Sequence, residues 1–233
     1  MSTRIPTIGG DTFVAKRFAD GSGIIYIPSV VDKEEHEQLL NVHYPTLEYH
    51  PEKSYYGNPP CRDTTWNGPF DYHYAAKVER AQPTPEWLDQ LRVKIERETV
   101  RAIETLNKLL PDKSTHFSTT GIDFRGILTN RYKNGQDSIT LDADNESTLR
   151  SGAPIASFSL GAVRSLLMRH AQPKAFPSMR IRMNSGSLLI MLDCQRDGRW
   201  KHGVEKDDTQ TVRYNSTFRV YAGQNGEFKE AKN

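Results

Sequence analysis

Hydrophobic positions recur at helical spacing in the first half of the chain. The segment "TPEWLDQLRVKIERETVRAIETLNKLL" has Pro85 in its first turn and Pro111 just beyond its end. Its apolar residues recur at three- and four-residue intervals, which predicts one long amphipathic helix. A shorter helix is predicted in "VVDKEEHEQLL", because Asp32 can cap it, Glu35 follows three residues on and Val31 can pack against the entry. The apolar positions of the long helix are Leu88, Leu91, Ile95, Ala102, Ile103 and Leu106.

Behind the long helix the pattern changes to short β-type runs. These runs are "GIDFRGILTNRY", "APIASFSLGAVRSLLMR", "SMRIRMNSGSLLIML" and "TVRYNSTFRVY", separated by Gly, Pro, Asn and Asp. They predict an α+β fold with a jelly-roll core and flanking N-terminal helices. No shift in composition marks a linker, so residues 1–233 are interpreted as a single domain. Within it we expect an N-terminal elaboration (1–112), a strand-rich core (113–222) and a polar tail (223–233).

Composition narrows the class of protein only modestly. Of 233 residues, 36% are hydrophobic and 26% charged, and the net charge of +2 neither requires nor excludes a nucleic-acid partner. Cys61 and Cys194 lie far apart without a CxxC pattern, which argues against a disulfide framework and favours a reducing compartment. No apolar stretch is long enough to be the core of an N-terminal signal peptide or to span a membrane. We therefore expect an intracellular monomer, in the nucleus or cytoplasm, without a membrane partner.

An acidic stretch, "QDSITLDADNES", carries the first chemical signal. Asp142, Asp144 and Glu146 occupy every second position, so on an extended strand all three would share a face. Because such acids repel each other, a divalent metal is the candidate partner. His202, in "RDGRWKHGVEK", is the histidine best placed to join them, although a lone histidine is more often a surface residue. One histidine plus carboxylates, with open positions, is typical of non-haem iron.

Two arginines in "RYNSTFR" carry the second signal. Arg213 and Arg219 are six residues apart, an even spacing that places both guanidinium groups on one face of a strand. Guanidinium groups on an inner face need anions. Two interpretations remain open: the arginines pair with the acidic strand, or they hold a small dicarboxylate beside the metal.

Five segments in this order carry a resemblance to a known family: "NRYKNG", "PIASFSLG", "GSLLIM", "WKHG" and "RYNSTFR". Over roughly residues 60 to 221 the chain resembles the AlkB family of iron- and 2-oxoglutarate-dependent dioxygenases, particularly its DNA-repair branch. The resemblance implies a double-stranded β-helix, an Fe(II) ion and 2-oxoglutarate as co-substrate. It also implies oxidation of an alkyl group on a nucleic-acid base, by demethylation or hydroxylation, with DNA expected over RNA.

The resemblance also implies roles for particular residues. Asp144 and His202 match two of the three iron ligands, and Glu146 matches an acid that faces the target base. The block "CRDTTWNGPFDYHY" resembles the nucleotide-recognition region, where Trp66, Tyr72 and Tyr74 are candidates for stacking on a flipped base. The co-substrate residues implied are Asn130, Tyr132, Arg213 and Arg219. Separately from the resemblance, candidate phosphate contacts are Arg62, Lys77, Arg80 and Lys174. The resemblance to the duplex-repair enzymes of the family also implies a wedge loop, for which Tyr55 and Tyr56 in "HPEKSYYGNPP" are the candidates.

The chain departs from the family at its first iron ligand, where Asp142 stands in place of a histidine. Asp142, Asp144 and His202 are therefore the predicted metal ligands, a set more anionic than the family's. Three interpretations follow: an active dioxygenase, a nucleic-acid-binding module that has lost normal iron binding, or a deliberate substitution that traps a complex. The intact co-substrate residues favour activity, and divergence of the neighbouring "SITL" favours natural drift over engineering.

Overall fold

Two antiparallel sheets face each other in the computed structural model, and a long helix covers the larger one. The structure describes residues 2–6, 12–52, 61–74, 77–144, 146, 148–194 and 198–222. Its helical segments are α1 (Lys33–Gln38), a π-helical turn (Leu39–His43), α2 (Glu86–Leu109) and two 3-10 turns (Tyr44–Thr46 and Lys113–Thr115). The strands are β1 (Ser2–Pro6), β2 (Thr12–Arg17), β3 (Gly23–Ile27), β4 (His50–Pro51), β5 (Asp63–Asn67), β6 (Tyr72–Tyr74), β7 (Lys77–Glu79), β8 (Gly126–Tyr132), β9 (Ile139–Asp142), β10 (Ile155–Gly161), β11 (Arg164–His170), β12 (Met179–Met183), β13 (Leu188–Leu192), β14 (Trp200–Val204) and β15 (Arg213–Arg219).

The larger sheet has nine strands, in the order β1-β2-β3-β13-β10-β15-β8-β5-β4. At its centre, Arg213 of β15 lies opposite Tyr132 of β8, and Asn215 lies opposite Asn130. Because side chains alternate along a strand, every second residue of β15 from Arg213 points to the same face as Asn130 and Tyr132. Around β8 and β15, this inner face of the larger sheet is polar.

The smaller sheet has four strands, in the order β12-β11-β14-β9, and it covers the polar inner face. His202 of β14 lies opposite Met168 of β11 on one side and Asp142 of β9 on the other. Apolar residues that include Met168, Trp200 and Val204 pack together with Met191 of the larger sheet. The two sheets thus enclose an apolar cluster beside a polar pocket, the arrangement of a double-stranded β-helix.

Helix α2 covers the opposite, outer face of the larger sheet. All six apolar positions predicted for this helix are buried, in one cluster with Ile25, Phe158 and Phe218 of the sheet. Pro85 is the residue before its first turn, and the helix ends before Pro111, as predicted. In α1, Asp32 Oδ1 accepts a hydrogen bond of 2.9 Å from the Glu35 amide, which confirms the predicted cap.

The predicted fold class is confirmed, but residues before 112 contribute more strands than expected. β3 pairs with β13, and β5 pairs with β8, so the N-terminal part completes the larger sheet. The division into an elaboration and a core stays a prediction, and residues 223–233 lie outside the described part of the chain. Among the helices that the structure describes, none has the length and apolar character needed to cross a membrane.

Candidate active site

A pocket opens between the polar inner face of the larger sheet and the facing strands β9 and β14. Strand alternation creates it, since β15 directs Asn215 and Arg219 into the pocket and packs Tyr214 and Phe218 in the cluster under α2. Most of the predicted site residues line this one pocket. They are Arg62, Tyr72, Asn130, Tyr132, Asp142, Asp144, Glu146, His202 and Arg219.

The carboxylate of Asp144 lies at the centre of this group. Arg219 Nη2 donates a 2.5 Å hydrogen bond to its Oδ1, and His202 Nε2 lies 3.5 Å from its Oδ2. Burial alone would raise the pKa of Asp144, but the charges of Arg219 and His202 and the hydrogen bond from Arg219 lower it below its ordinary value. The buried Oδ2 has no hydrogen-bond partner among the described residues. Asp144 therefore offers an ionised oxygen next to an imidazole nitrogen, as a metal ligand must.

Asp142 occupies the mouth of the pocket. It lies opposite His202 in the sheet and therefore points to the same side, but its side chain is exposed and Oδ1 accepts a 2.9 Å hydrogen bond from the Ala143 amide. Strand β9 ends at Asp142, so the predicted strict alternation does not continue to Asp144 and Glu146. Within the described ranges, no three His, Cys, Asp or Glu side chains are grouped closely enough to hold an ion. The three-ligand set stays a prediction.

Arg213 lies deep in the structure with most of its hydrogen-bonding capacity unused. It is 1% exposed, and Nη2 donates to Ser159 Oγ at 2.9 Å, while Nε and Nη1 are buried without a partner in the part of the chain described. Its guanidinium lies 5.1 Å from the ring centroid of Tyr132. Burial lowers the pKa of Arg213. Because arginine stays protonated even so, an anion is needed here.

Asn130 is oriented by Arg62, whose Nε donates a 2.7 Å hydrogen bond to Asn130 Oδ1. A guanidinium can only donate, so this contact leaves the Asn130 amide nitrogen to donate elsewhere. Arg62 also forms an ion pair with Glu52 and is 4% exposed. A surface phosphate contact is therefore not supported for Arg62, because its charge is already matched inside the protein.

Glu146 and Tyr72 form the wall beyond Asp144. Burial, together with the Asp144 charge, raises the pKa of Glu146, and a hydrogen bond with Tyr72 opposes this shift. Tyr72 is 1% exposed, and the Arg219 guanidinium lies 5.7 Å from its ring centroid. Glu146 Oε2 is buried without a hydrogen-bond partner among the described residues. This carboxyl group can therefore meet a polar group that enters the pocket.

Trp66 does not have the position predicted for it. Its indole is fully buried, stacks on Tyr72 at 4.5 Å between ring centroids, and donates a 2.7 Å hydrogen bond to the Phe70 carbonyl. A ring packed in this way supports Tyr72 from behind and has no free face for a base. Phe70, which was not predicted, is half exposed and stacks on Tyr221 at 5.6 Å.

The remaining predicted contacts are placed only in part. Arg80 is exposed and pairs with Asp71 at 2.5 Å, and Lys174 is exposed. The side chains of Tyr74 and Lys77, and the candidate wedge residues Tyr55 and Tyr56, lie outside the described residues. Their roles stay predictions.

Sequence reasoning missed Asn215. Its Nδ2 donates to Ser157 Oγ at 2.8 Å and to the Phe158 carbonyl at 2.9 Å, and it lines the pocket. The signal was present, because Asn215 lies two residues after Arg213 and therefore shares its face of β15.

These residues fit an iron ion and a dicarboxylate. Asp144 and His202 would supply an oxygen and a nitrogen ligand at adjoining positions, with Asp142 on the same side. Arg213 and Arg219 each have buried N–H groups without partners in the described structure, and both extend from the inner face of β15. Unpaired guanidinium donors beside a carboxylate–histidine pair match the needs of a metal-chelating dianion.

Comparison with known proteins identifies the family. Residues 23–219 match the model of the 2OG-Fe(II) oxygenase superfamily, and the chain belongs to that superfamily. Within it, the chain is an AlkB-family member. The predicted family is therefore confirmed, and with it Fe(II) and 2-oxoglutarate as the family's cofactor and co-substrate.

Two curated relatives support this placement. The chain is 30% identical over 170 residues to the alpha-ketoglutarate-dependent dioxygenase alkB homolog 3 of Mus musculus, covering 70% of this chain and 52% of that protein. It is 38% identical over 107 residues to the DNA oxidative demethylase ALKBH2 of Bos taurus, covering 43% of this chain and 38% of that protein. The chain thus spans about half, or less, of the length of these relatives.

A solved structure shares the fold. The structure of OsALKBH1 superposes with a TM-score of 0.61 at 14% identity, covering 88% of this chain and 99% of that chain. At this identity the likeness supports the fold alone.

Proposed function

We propose that this chain is an Fe(II)- and 2-oxoglutarate-dependent dioxygenase that oxidises an alkyl group on a base of nucleic acid, with DNA as the expected substrate. The observation that carries the proposal lies on the inner face of β15. Among the described residues, the buried Arg213 has no carboxylate partner, and Arg219, which pairs with Asp144, keeps two buried N–H groups unpaired beside the Asp144–His202 pair. The relatives named as dioxygenases and as a DNA demethylase support the reaction and the substrate class.

Asp144, His202 and Asp142 would hold the iron. When bound, the iron and 2-oxoglutarate supply activation of O2: one oxygen atom enters succinate as CO2 is released, and the other oxidises a C–H bond. Arg213 and Tyr132 would bind the distal carboxylate of the co-substrate. Asn130, oriented by Arg62, would donate a hydrogen bond to the co-substrate.

Glu146 and Tyr72 would contact the target base. A base must leave its stack to reach this pocket, because the pocket lies between two sheets. The raised pKa of Glu146 lets its carboxyl group hold a proton more readily and donate to a ring nitrogen. Tyr72, backed by Trp66, offers a rigid aromatic wall. We expect a monomeric protein of the nucleus or cytoplasm.

The decisive test is anaerobic addition of Fe(II) and 2-oxoglutarate, followed by the visible charge-transfer band of the chelated complex. The proposal predicts a band in the unaltered protein, and a stronger one in Asp142→His, because imidazole restores the family's ligand. Succinate formation with oligonucleotides that carry N-alkylated bases then tests the substrate class. A band only in Asp142→His would contradict the proposal and would indicate a fold kept for binding alone.

A further inference from the structure

Arg164 is a further buried arginine between the sheets. It belongs to β11, is 2% exposed, and its guanidinium is enclosed by backbone carbonyls. Nη1 donates to the Asn134 carbonyl at 3.2 Å, and Nη2 lies 3.4, 3.0 and 2.6 Å from the carbonyls of Gly135, Asp137 and Glu205. Nε lies 2.8 Å from Asp207 Oδ2. One side chain thus connects two separate loops.

Those two loops flank the strands of the candidate metal ligands. The first, residues 133–138, links β8 to β9, which ends at Asp142; the second, residues 205–212, follows β14, which carries His202. The loops also contact each other directly, since the Asp207 amide donates to the Gly135 carbonyl at 2.9 Å. A Cβ added to Gly135 would lie 2.3 Å from the Asp207 carbonyl oxygen, so no larger residue fits this junction without a backbone shift.

Arg164 also lies next to the residues that would bind the distal carboxylate. The guanidinium carbons of Arg164 and Arg213 lie 5.8 and 5.1 Å from the ring centroid of Tyr132. The charge of Arg164 adds to burial in lowering the pKa of Arg213. Asp207 is the carboxylate paired with Arg164, and Arg213 has no carboxylate partner among the described residues. This end of the pocket therefore carries unmatched positive charge.

We propose that Arg164 is a positioning residue for the distal end of 2-oxoglutarate: by fastening the 133–138 loop to the 205–212 loop, it fixes Tyr132 and Arg213 where they meet that carboxylate. Tyr132 is the residue immediately before the first loop, and Arg213 is the residue immediately after the second. A change in the junction therefore moves both ends of the carboxylate site. The inference rests on the proposed function and adds to it a residue that would not touch the ligand.

The test compares two metal-chelating dianions that differ at the distal end. Mn(II)-loaded protein is titrated calorimetrically with 2-oxoglutarate and with oxalate, which lacks the distal carboxylate. In Arg164→Lys the charge remains but an ammonium group cannot span the same carbonyls. We expect Arg164→Lys and Arg164→Met to weaken 2-oxoglutarate binding by about tenfold or more, and to leave oxalate binding within about twofold.

Gly135→Ala provides an independent route to the same junction, because it separates the loops without changing Arg164. It should show the same selective loss. Arg182→Met, an exposed arginine on the neighbouring strand β12, is the matched control and should bind both ligands like the unaltered protein. Hydrogen exchange at the Asp207 amide should be faster in both Arg164 variants.

Each outcome is decisive. Unchanged 2-oxoglutarate binding in the Arg164 variants overturns the inference, and equal loss of both ligands overturns it as well, since Arg164 would then only support the fold. If the unaltered protein binds oxalate but not 2-oxoglutarate, the distal site itself is wrong. If the unaltered protein binds Mn(II) but neither dianion, the proposed function is wrong, and the inference about Arg164 is wrong with it.

Discussion

Arg219 of the larger sheet and Asp144 beyond the smaller sheet meet across the pocket in a 2.5 Å hydrogen bond. The other oxygen of Asp144 lies 3.5 Å from His202, so one carboxylate links the two sheets. Removing one member of a buried charge pair leaves the other uncompensated, which costs more than the pair itself contributes. This contact is therefore both structural and part of the candidate metal site.

A double-mutant cycle would measure this contact in metal-free protein. We expect Arg219→Met and Asp144→Asn each to lower the free energy of unfolding, with a coupling energy of about 1–3 kcal/mol between them. Urea unfolding of the two single variants and the double variant provides the measurement. Additive losses would show that the two side chains contribute independently.

The buried carboxylate of Asp63 should make the free energy of unfolding depend on pH. Burial alone would raise its pKa, but hydrogen bonds and charges from Arg131 and Lys133 lower it below the ordinary value. A lowered pKa means that the stabilisation is complete above the pKa of the unfolded chain, about 3.9, and is lost as pH falls through the lower folded value. Asp63→Asn should cost about 1–3 kcal/mol at neutral pH.

The measurement for Asp63 is urea unfolding of both proteins between neutral and acidic pH. The difference between them should stay constant down to about pH 4 and shrink below it. A difference that grew on acidification would have the wrong sign for this carboxylate.

Alanine substitutions of Trp66 and Phe70 should differ strongly in their effect on the free energy of unfolding. Trp66→Ala removes a fully buried ring that stacks on Tyr72, and should lower the free energy of unfolding by about 3–5 kcal/mol. Phe70→Ala removes a half-exposed ring and should change it by about 0.5 kcal/mol or less. Thermal or urea unfolding distinguishes them, and comparable losses would contradict the assignment of Trp66 as a supporting residue.

Helix α2 offers a matched pair for the outer core. Ile103 is fully buried against the larger sheet, whereas Val93 on the same helix is about half exposed. Ile103→Ala should cost about 2–5 kcal/mol, and Val93→Ala about 0.5 kcal/mol or less. Urea unfolding checks both. Equal effects would mean that α2 does not bury the face described.

Regular apolar patterns made much of the fold predictable. The long helix was predictable because its apolar residues recur at helical spacing between Pro85 and Pro111, and the later strands because β-type runs alternate with turn residues. Strand β5, "DTTWN", was not, because its polar residues are typical of a loop. It forms a fully buried strand because β8 supplies its hydrogen bonds and its polar side chains have partners of their own: Arg131 donates to Asp63, and Asn67 donates to the Pro83 carbonyl.

The candidate site was predictable where side chains share a strand and not where distant loops meet. The common orientation of Arg213 and Arg219 was predictable, because an even spacing along β15 places both side chains on one face. The burial of Arg62 depends on Glu52 and Asn130, and the junction at Arg164 on backbone carbonyls of two loops, and no local pattern encodes either. Contacts of this kind are set by tertiary packing.

The two faces of the larger sheet carry residues with different roles. Along β15, Tyr214 and Phe218 face the core under α2, while Arg213, Asn215 and Arg219 face the pocket. Alternate positions of β15 are therefore under different constraints: the residues that face α2 are constrained by stability, and the residues that face the pocket by chemistry. Asp142, at the exposed rim of an edge strand, is further removed from the core than either set. A lineage could exchange the residue at this rim, and with it the chemistry of the candidate metal site, while the folded scaffold persisted unchanged.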